Sequence, residues 1–337
     1  MNASKPGKLF APFGDLSPGT QLVLVWLSFL IPLIAWAVVS YVPFVWHPLM
    51  RITEPGGVSY FKPDTLVEKS VFRAENAKMA AAGKPLAQGL PANPVFLPAP
   101  HEVVQALYKS FTTPPRRKGE PWFHESLWHS IQIIFWGFFW SSLFGVPLGI
   151  LCGTFKAFSR LTEPAVDFVR YMPAPVFGAL AVAVLGIYDA PKIAIIFIGT
   201  FFQQVLVIAN TTRKLDTSLI EAAQTLGASR PQLLFRVVIP GVAVDLYNDM
   251  RILLGWAWTY LIVAEYIGAS SGITYFINQQ AKYRIYDNVF AAIIIIGIIG
   301  FTTDRILDVL GRRIFPWQKT HKPGLLKTLL AGRRQTA

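Results

Sequence analysis

Three stretches of this chain contain no Asp, Glu, Lys or Arg and are long enough to cross a lipid bilayer, at residues 22–45, 126–155 and 193–212. A helix needs about 20 apolar residues to cross the hydrocarbon layer. Backbone groups in lipid must be hydrogen-bonded within their own segment, and alternating strand patterns are absent, so each stretch is predicted to be a helix. The sequence therefore predicts an all-α, polytopic membrane protein.

Three further segments are shorter or interrupted by charge. They cover residues 171–188, 252–267 and 289–310. Counting them gives six transmembrane helices, which places both termini on one side. Lys and Arg in short loops mark the cytosolic side, and we expect that side to hold Lys5, Lys8, Lys156, Arg160, Arg213, Lys214, Arg230, Arg236, Arg312 and Arg313. Much of the net charge of +12 is thus a topology signal.

The charge pattern divides the chain into five predicted parts. These are a cytosolic tail at 1–20, the first transmembrane helix at 21–45, an exoplasmic insertion at 46–125, a core at 126–318 containing a polar loop at 215–240, and a basic cytosolic tail at 319–337. Within the insertion, residues 98–107 predict a helix that starts at a proline and lies along the membrane surface. The role of residues 46–95 stays open.

The polar loop at 215–240 contains a first predicted helix. Ser218 and Glu221 have the spacing of a capping box, which predicts the start of the helix. Ala222 and Ala223 favour its continuation. Gly227 lies where a left-handed residue ends a helix.

A second helix is predicted after this turn. Ser229 is its expected cap, Pro231 lies in its first turn, and Pro240 is expected to end it. Small alanines on the first helix allow another protein surface to approach closely, so the loop is predicted to be a docking element. An ordinary polar loop that happens to be helical is the alternative.

The spacing of this loop carries a resemblance to a known family. Glu221-Ala222-Ala223 is followed by Gly227 and then by Val237, Ile239 and Pro240, which resembles the EAA loop of bacterial ABC importer permeases. In that family the loop supplies a coupling helix that docks on a separate ATP-binding subunit. The resemblance implies the following docking residues: Glu221, Ala222, Ala223, Gly227, Ala228 and Pro240.

Flanking motifs are similar to the nitrate, sulfonate, taurine and bicarbonate branch of these permeases. They include Gly-Val-Pro-Leu-Gly-Ile at 145–150 and Ala-Glu-Tyr-Ile-Gly-Ala-Ser-Ser-Gly at 264–272, and the likeness covers about residues 95–318. Two departures are Asp245 and Asp249 ahead of Arg251, where the family usually has a proline and a glycine, and the longer exoplasmic segment.

The resemblance implies the type I ABC importer permease fold, with six transmembrane helices and a cytosolic coupling helix, in the bacterial cytoplasmic (inner) membrane. Its implied partners are ATP-binding cassette subunits, a periplasmic or lipid-anchored substrate-binding protein, and a second copy of the permease. The implied cargo is a small anion or organic solute.

The chain carries no Walker A sequence, because Gly7-Lys8 and Gly83-Lys84 lack the upstream glycine and the following Ser or Thr. It is therefore expected not to be an enzyme, with ATP and magnesium held by partner subunits and no cofactor of its own. A metal site is not expected, since no HExxH spacing occurs among Glu120, His124, Glu125 and His129. Nucleic acid is not an expected partner, because no recognisable binding module is present. A self-sufficient secondary transporter or channel is the alternative function, and an intramembrane enzyme the third.

Polar residues within the membrane usually face the bundle interior or a cavity. Hydrogen bonding between helices is an equal alternative to cargo contact for the two glutamines. For Glu265 the alternative is an ion pair with Lys282 or Arg284. The candidates for a translocation path are Gln203, Gln204, Thr259 and Glu265.

Overall fold

The computed structural model describes residues 16–42, 45–115, 119–267 and 271–317. These residues fall into two compact units, one that ends at Val104 and one that begins at Gln105. The predicted basic tail at 319–337 and most of the tail at 1–20 lie outside the described residues.

The first unit begins with the apolar helix α1, Pro18–Tyr41. Ser17 caps it, because its hydroxyl accepts a hydrogen bond from the backbone N–H of Thr20 at 3.2 Å. None of its apolar window is buried against the rest of the protein, as expected for a helix surrounded by lipid.

A small sheet follows α1, and it corrects the expectation that the chain is all-α. Strands β1 (Leu49–Glu54), β2 (Leu66–Glu68) and β3 (Gln88–Ala92) pair antiparallel in the order β2-β1-β3. Helix α2, Lys69–Ala81, packs on them. Asn76 fastens the helix to the chain before β3, since its side chain bonds both backbone groups of Ala87, at 2.8 and 2.9 Å.

The sequence patterns did not predict these strands, for physical reasons. In β1 only Met50 and Ile52 are buried, which is too short an alternation to stand out. Strand β3 contains Pro91, a residue that argues against a central strand, but β3 lies at the sheet edge, where a missing N–H is tolerated. The sheet and α2 share an apolar core of Met50, Ile52, Val58, Phe61, Phe72 and Ala87.

The second unit is helical throughout its described part. Helix α3 bridges the boundary between the units in sequence. The elements are α3 Pro100–Thr112, α4 Phe123–Thr154, α5 Lys156–Arg170, a 3-10 turn Ala174–Phe177, α6 Gly178–Leu185, α7 Asp189–Arg213, α8 Thr217–Thr225, α9 Arg230–Leu233, a π-turn Leu234–Val238, α10 Ile239–Ile267, α11 Ile273–Lys282 and α12 Tyr286–Ile314.

Four described helices, α1, α4, α7 and α12, are long and apolar enough to cross a membrane. The predicted span at 171–188 is not a continuous helix. Helix α5 and the segment Ala174–Leu185 are long and apolar enough to cross a membrane only when they are taken together, and the pair is bent by 88° at its junction. Pro173 and Pro175 cause the break, because proline disfavours the helical conformation of the residue before it.

Helix α10 has 29 residues, which is enough to span, but it carries Asp245, Asp249, Arg251 and Glu265. Its predicted span at 252–267 covers its second half. Because of these charges, α10 is not among the described helices that are both long and apolar enough to cross a membrane.

Helices α4 and α7 form the central pair of this unit, and small residues let them approach closely. Every fourth residue of α4 along the contact is small. A Cβ on Gly149 would lie 2.7 Å from the Ile208 Cβ, and one on Gly153 would lie 2.5 Å from the Thr212 Cβ. Such stripes are typical of helix packing in membranes, and this one comprises Gly137, Ser141, Gly145, Gly149 and Gly153.

Candidate functional site

The polar loop forms helix α8, Thr217–Thr225, whose N-cap lies two residues before the predicted cap Ser218. Asp216 is the N-cap, and its carboxylate accepts a hydrogen bond from the backbone N–H of Ser218 at 2.9 Å. That bond lowers the pKa of Asp216 below its ordinary value. The predicted box between Ser218 and Glu221 is wrong, because the carboxylate at 216 is a stronger acceptor placed directly before the helix.

The turn after α8 is the predicted glycine turn. Gly227 has a φ of 81°. Its N–H bonds the carbonyl of Gln224 at 2.9 Å, and the N–H of Ala228 bonds the carbonyl of Ala223 at 3.0 Å. This pair of bonds is a Schellman motif, which closes the helix end and reverses the chain.

The second helix is capped as expected but ends differently. Ser229 and Gln232 form a capping box in α9. Pro240 does not stop the chain, because it directly follows the π-turn Leu234–Val238, and a local π geometry accommodates a proline inside a helix. The π-turn Leu234–Val238 joins α9 directly to α10. The loop and the long helix are therefore one continuous element from Arg230 onward.

The inner face of the loop is packed against the helix bundle. Ile220 and Ala223 of α8 contact an apolar cluster made of Ile150, Ile208, Leu233, Val238, Val242 and Leu246. The cluster contains side chains of α4, α7 and α10, so a force on α8 reaches three long helices through side-chain contacts.

The outer face of the loop is exposed and partly apolar. Glu221 and Ala222 are exposed, and so are Leu226, at 89%, and Phe235, at 67%. Exposed apolar groups beside a charged residue are typical of a protein contact surface. We call Glu221, Ala222, Leu226, Gly227 and Phe235 the outer face.

Gln204 is buried between helices. Its side-chain oxygen accepts a hydrogen bond from Ser141 at 2.5 Å, and its nitrogen donates to Ser142 at 3.0 Å. These bonds join α7 to α4, as the hydrogen-bonding alternative predicts.

Gln203 and Thr259 have different surroundings. Gln203 lines an open cavity of about 390 Å³ between α5 and α7, together with polar side chains of both helices. Thr259 is exposed on α10, and its hydroxyl donates to the carbonyl of Trp256 at 2.7 Å. The structure thus does not bring the four path candidates into one site within this chain.

Glu265 is fully buried. It accepts hydrogen bonds from the Ser130 hydroxyl at 2.5 Å and from the Thr274 N–H at 2.8 Å. The alternative pairing with Lys282 or Arg284 is therefore wrong. The carboxylate instead joins α10 to α4 and to the start of α11.

A buried lysine lies in the same region, and sequence reasoning missed it. The Lys192 ammonium is fully buried, 3.1 Å from Asp189 and 2.8 Å from the Ser271 hydroxyl. The second carboxylate oxygen of Asp189 is hydrogen-bonded to Nε2 of His129 at 3.0 Å. The spacing of Asp189 and Lys192, three residues apart on one helix, was the available signal.

A second ionic network joins α10 to α12. Arg251 lies 2.9 Å from both Asp304 and Asp308. Asp249 on the same helix accepts a hydrogen bond from Thr211 of α7 at 2.5 Å. These partners satisfy two charged residues of α10.

The acidic and histidine residues around the start of α4 have separate roles. Glu125 accepts from the backbone N–H of Trp122 at 2.8 Å and thereby caps α4, while His129 bonds Asp189. Among the described residues, no group of three or more His, Cys, Asp or Glu side chains is arranged to hold a metal ion.

Several apolar helices and an exposed helical loop continuous with one of them define a membrane transport subunit. Residues 145–316 match the family described as the binding-protein-dependent transport system inner membrane component. The chain belongs to this family of ABC importer permeases.

Relatives support the branch indicated by the motifs. A probable ABC transporter permease of Brucella abortus (strain 2308) is 34% identical over 56% of this chain and 76% of its own. The taurine transport system permease of Escherichia coli (strain K12) is 31% identical, over 67% of this chain and 81% of its own. A putative aliphatic sulfonates transport permease of Bacillus subtilis (strain 168) is 31% identical, over 53% and 67%.

A solved structure agrees on the fold. An inward-facing form of the MetNI methionine ABC transporter matches with a TM-score of 0.53 at 19% identity, covering 59% of this chain and 99% of that one.

Proposed function

We propose that this permease forms the translocation path of an ATP-driven importer for a small anion or organic solute and that α8 is its coupling helix. Separate ATP-binding subunits dock on the outer face, with ATP and magnesium held by those subunits. The predicted docking residues are Glu221, Ala222, Ala223, Gly227, Ala228 and Pro240. Of these, Glu221, Ala222 and Gly227 lie on the outer face, while Ala223 packs inward and holds α8 against the bundle.

The observation that carries this proposal is the two-sided packing of α8. Its inner face is fixed to α4, α7 and α10, while Glu221 and Ala222 on its outer side, Leu226 at its C-cap and Phe235 of the π-turn are exposed. A docked subunit would cover that apolar surface. Its movement would reach α10 through the contacts of α8 with the apolar cluster and through α9, which continues into α10 by way of the π-turn.

The proposed topology has six transmembrane helices, with both termini in the cytosol of a bacterial inner membrane. The bent pair α5 and Ala174–Leu185 supplies one crossing and α10 another. Support for α10 comes from Asp249, Arg251 and Glu265, which all have partners on neighbouring helices, so their burial in the membrane is compensated.

Among the path candidates, Gln203 is best placed to meet cargo, because it lines a cavity. Thr259 offers an exposed hydroxyl on α10. Gln204 and Glu265 hold the surrounding helices in position. The path is completed by a second copy of the permease, and a substrate-binding protein delivers the cargo from outside.

Cargo of the nitrate, sulfonate, taurine or bicarbonate type is supported by the names of the relatives and by the flanking motifs. A self-sufficient secondary transporter would need carboxylates free to bind a coupling ion. The carboxylates of Asp249, Asp304 and Glu265 are instead engaged by neighbouring side chains, which favours the importer.

The docking test uses a single exposed alanine. Ala222→Arg places a long charged side chain on the outer face, where a partner must approach closely. We expect it to abolish co-purification of the permease with its ATP-binding subunits and to abolish ATP-dependent uptake in proteoliposomes.

The matched control is Ala80→Arg, the same change at an exposed position of α2. It is expected to leave co-purification unchanged. Uphill transport by vesicles containing only this chain, or full co-purification of the Ala222→Arg variant, would contradict the proposal.

A further inference from the structure

The cavity between α5 and α7 contains charged groups that the proposed path does not include. Its polar lining consists of Glu163, Asp167, Arg170, Gln203 and Asn210. Gln203 and Asn210 lie seven residues apart, which is two turns of α7, so they share one face. The cavity of about 390 Å³ is within the range of small-molecule sites.

The cavity lies beside the break in a membrane-crossing pair. Arg170 is the last residue of α5, and the chain bends by 88° before the segment Ala174–Leu185. Broken helices expose backbone groups at membrane depth, and such breaks are tolerated where they line a polar cavity or a binding site. A charged residue at the break is a second, independent indication of a site for a polar solute.

Arg170 is the cation available to a ligand here. Glu163 is bound to Arg213. The Arg170 Nε donates to Asp167 at 2.6 Å and one terminal nitrogen donates to the Tyr171 hydroxyl at 2.9 Å. The other terminal nitrogen, Nη1, has no hydrogen bond within the described residues.

The ion pair with Asp167 is easily exchanged. The Asp167 side chain is 52% exposed and that of Arg170 is 30% exposed. Exposed pairs contribute little net free energy, whereas a guanidinium matches the planar or tetrahedral oxygens of an oxyanion with two parallel hydrogen bonds. The oxygens of an incoming anion therefore take the place of the Asp167 carboxylate as hydrogen-bond acceptors of Arg170, and little free energy is lost in the exchange.

We propose that Arg170 is the residue that recognises the anionic group of the cargo in the translocation path, and that Asp167 is the counterion which the cargo displaces. The inference rests on the proposed importer function and identifies the residue that binds the anionic group of its cargo. It assigns opposite roles to the two members of the pair, because one binds the anion and the other competes with it.

The experiment uses the complete importer in proteoliposomes, with its binding protein at saturating concentration. Taurine, ethanesulfonate, nitrate and bicarbonate are supplied in turn to the wild type. Whichever is carried is then used with Arg170→Gln, Arg170→Lys, Asp167→Asn and the control Arg160→Gln. Arg160 is an exposed residue of the same helix and does not line the cavity.

Arg170→Gln is expected to lower the uptake rate about tenfold or more, since the charge-assisted bonds are lost, while the complex still assembles. Arg170→Lys retains the positive charge but lacks the two parallel donors of the guanidinium, so its uptake rate is expected to lie between those of the wild type and Arg170→Gln. Asp167→Asn is expected to keep or raise the rate, and Arg160→Gln to leave it unchanged.

A purely structural ion pair predicts a different result. Asp167→Asn and Arg170→Gln would then lower uptake and thermal stability to the same extent, and the charge swap Asp167→Arg with Arg170→Asp would restore both, which would overturn the inference alone. A wild-type importer that carries none of the four anions would overturn the anion cargo of the proposed function and this inference with it.

Discussion

The Ser130 hydroxyl donates a hydrogen bond of 2.5 Å to the Glu265 carboxylate in the interior of the bundle. The same hydroxyl oxygen accepts from the N–H of Ile273 at 2.8 Å. Ser130 therefore connects α4 to both the end of α10 and the start of α11. Gly272 is the residue that permits this arrangement, because a Cβ there would collide with the Glu265 carboxylate and its φ is 96°.

We expect Glu265→Ala to destabilise the protein. The change leaves the buried N–H of Thr274 and one bond of Ser130 without an acceptor, which costs about 2 kcal/mol or more in the free energy of unfolding. The measurement is the midpoint of thermal unfolding in detergent. Thr259→Val is the control, since that hydroxyl is exposed and bonds its own helix, and its midpoint is expected to stay close to the wild type. Equal midpoints for the two variants would show that the interior bonds contribute nothing.

Sequence patterns predicted the long helices well, because apolar length is a local property of the chain. The turn at Gly227 was also predictable, since it needs only one residue with a positive φ. What the sequence did not indicate depends on distant residues. Ser130 and Glu265 are 135 positions apart, and nothing near either one identifies the other.

The close packing of α4 on α7 gives a second prediction. Gly149→Ala forces a Cβ against Ile208 and is expected to cost about 1–3 kcal/mol in the free energy of unfolding through overpacking. Gly255→Ala is the matched control, because a Cβ at that exposed helical position meets nothing within 4 Å, so alanine is expected to be neutral or slightly stabilising. Thermal unfolding of the two variants in the same detergent makes the comparison. Equal effects would mean that the glycine stripe is not a tight contact.

The turn at Gly227 gives a third prediction, which separates backbone strain from side-chain size. A Cβ at this position meets nothing within 4 Å, so Gly227→Ala acts only through its positive φ, at a cost of about 1–2 kcal/mol in the free energy of unfolding. We expect faster amide hydrogen exchange at the end of α8 in this variant. Gly227→Asn is larger but tolerates the left-handed region better, and it should exchange more like the wild type. The opposite order would indicate that size decides at this turn.

The corrections to the predicted loop have one cause. Pro240 was expected to end a helix, yet a proline is also accommodated inside a helix next to a π-turn, and local sequence alone does not distinguish the two positions. Tertiary packing decides, because Val238 and Val242 on either side of Pro240 are both buried in the cluster beneath α8. A similar argument applies to Asp249, one of the two acidic departures from the family pattern, since its partner, Thr211, lies on another helix.

The network of Arg251 gives the last prediction. Arg251→Leu removes the cation that lies between Asp304 and Asp308. The side chains of Arg251 and Asp308 are 18% and 21% exposed, so partial solvent screening reduces the penalty to about 1–3 kcal/mol in the free energy of unfolding. Arg305→Leu is the control on α12, because Arg305 is exposed and stacks only on the Phe301 ring among the described residues.

Adding Asp304→Asn and Asp308→Asn to Arg251→Leu should recover much of the lost stability. Without Arg251, Asp304 has lost its cation and Asp308 keeps only Arg312, and these poorly compensated carboxylates, rather than the missing attraction, account for most of the penalty. The midpoint of thermal unfolding distinguishes the two causes. A triple variant less stable than Arg251→Leu would mean that the ionic bonds themselves hold α10 against α12. Recovery would mean that the three charges mainly compensate one another, which is the condition under which a charged helix such as α10 is able to lie inside a membrane.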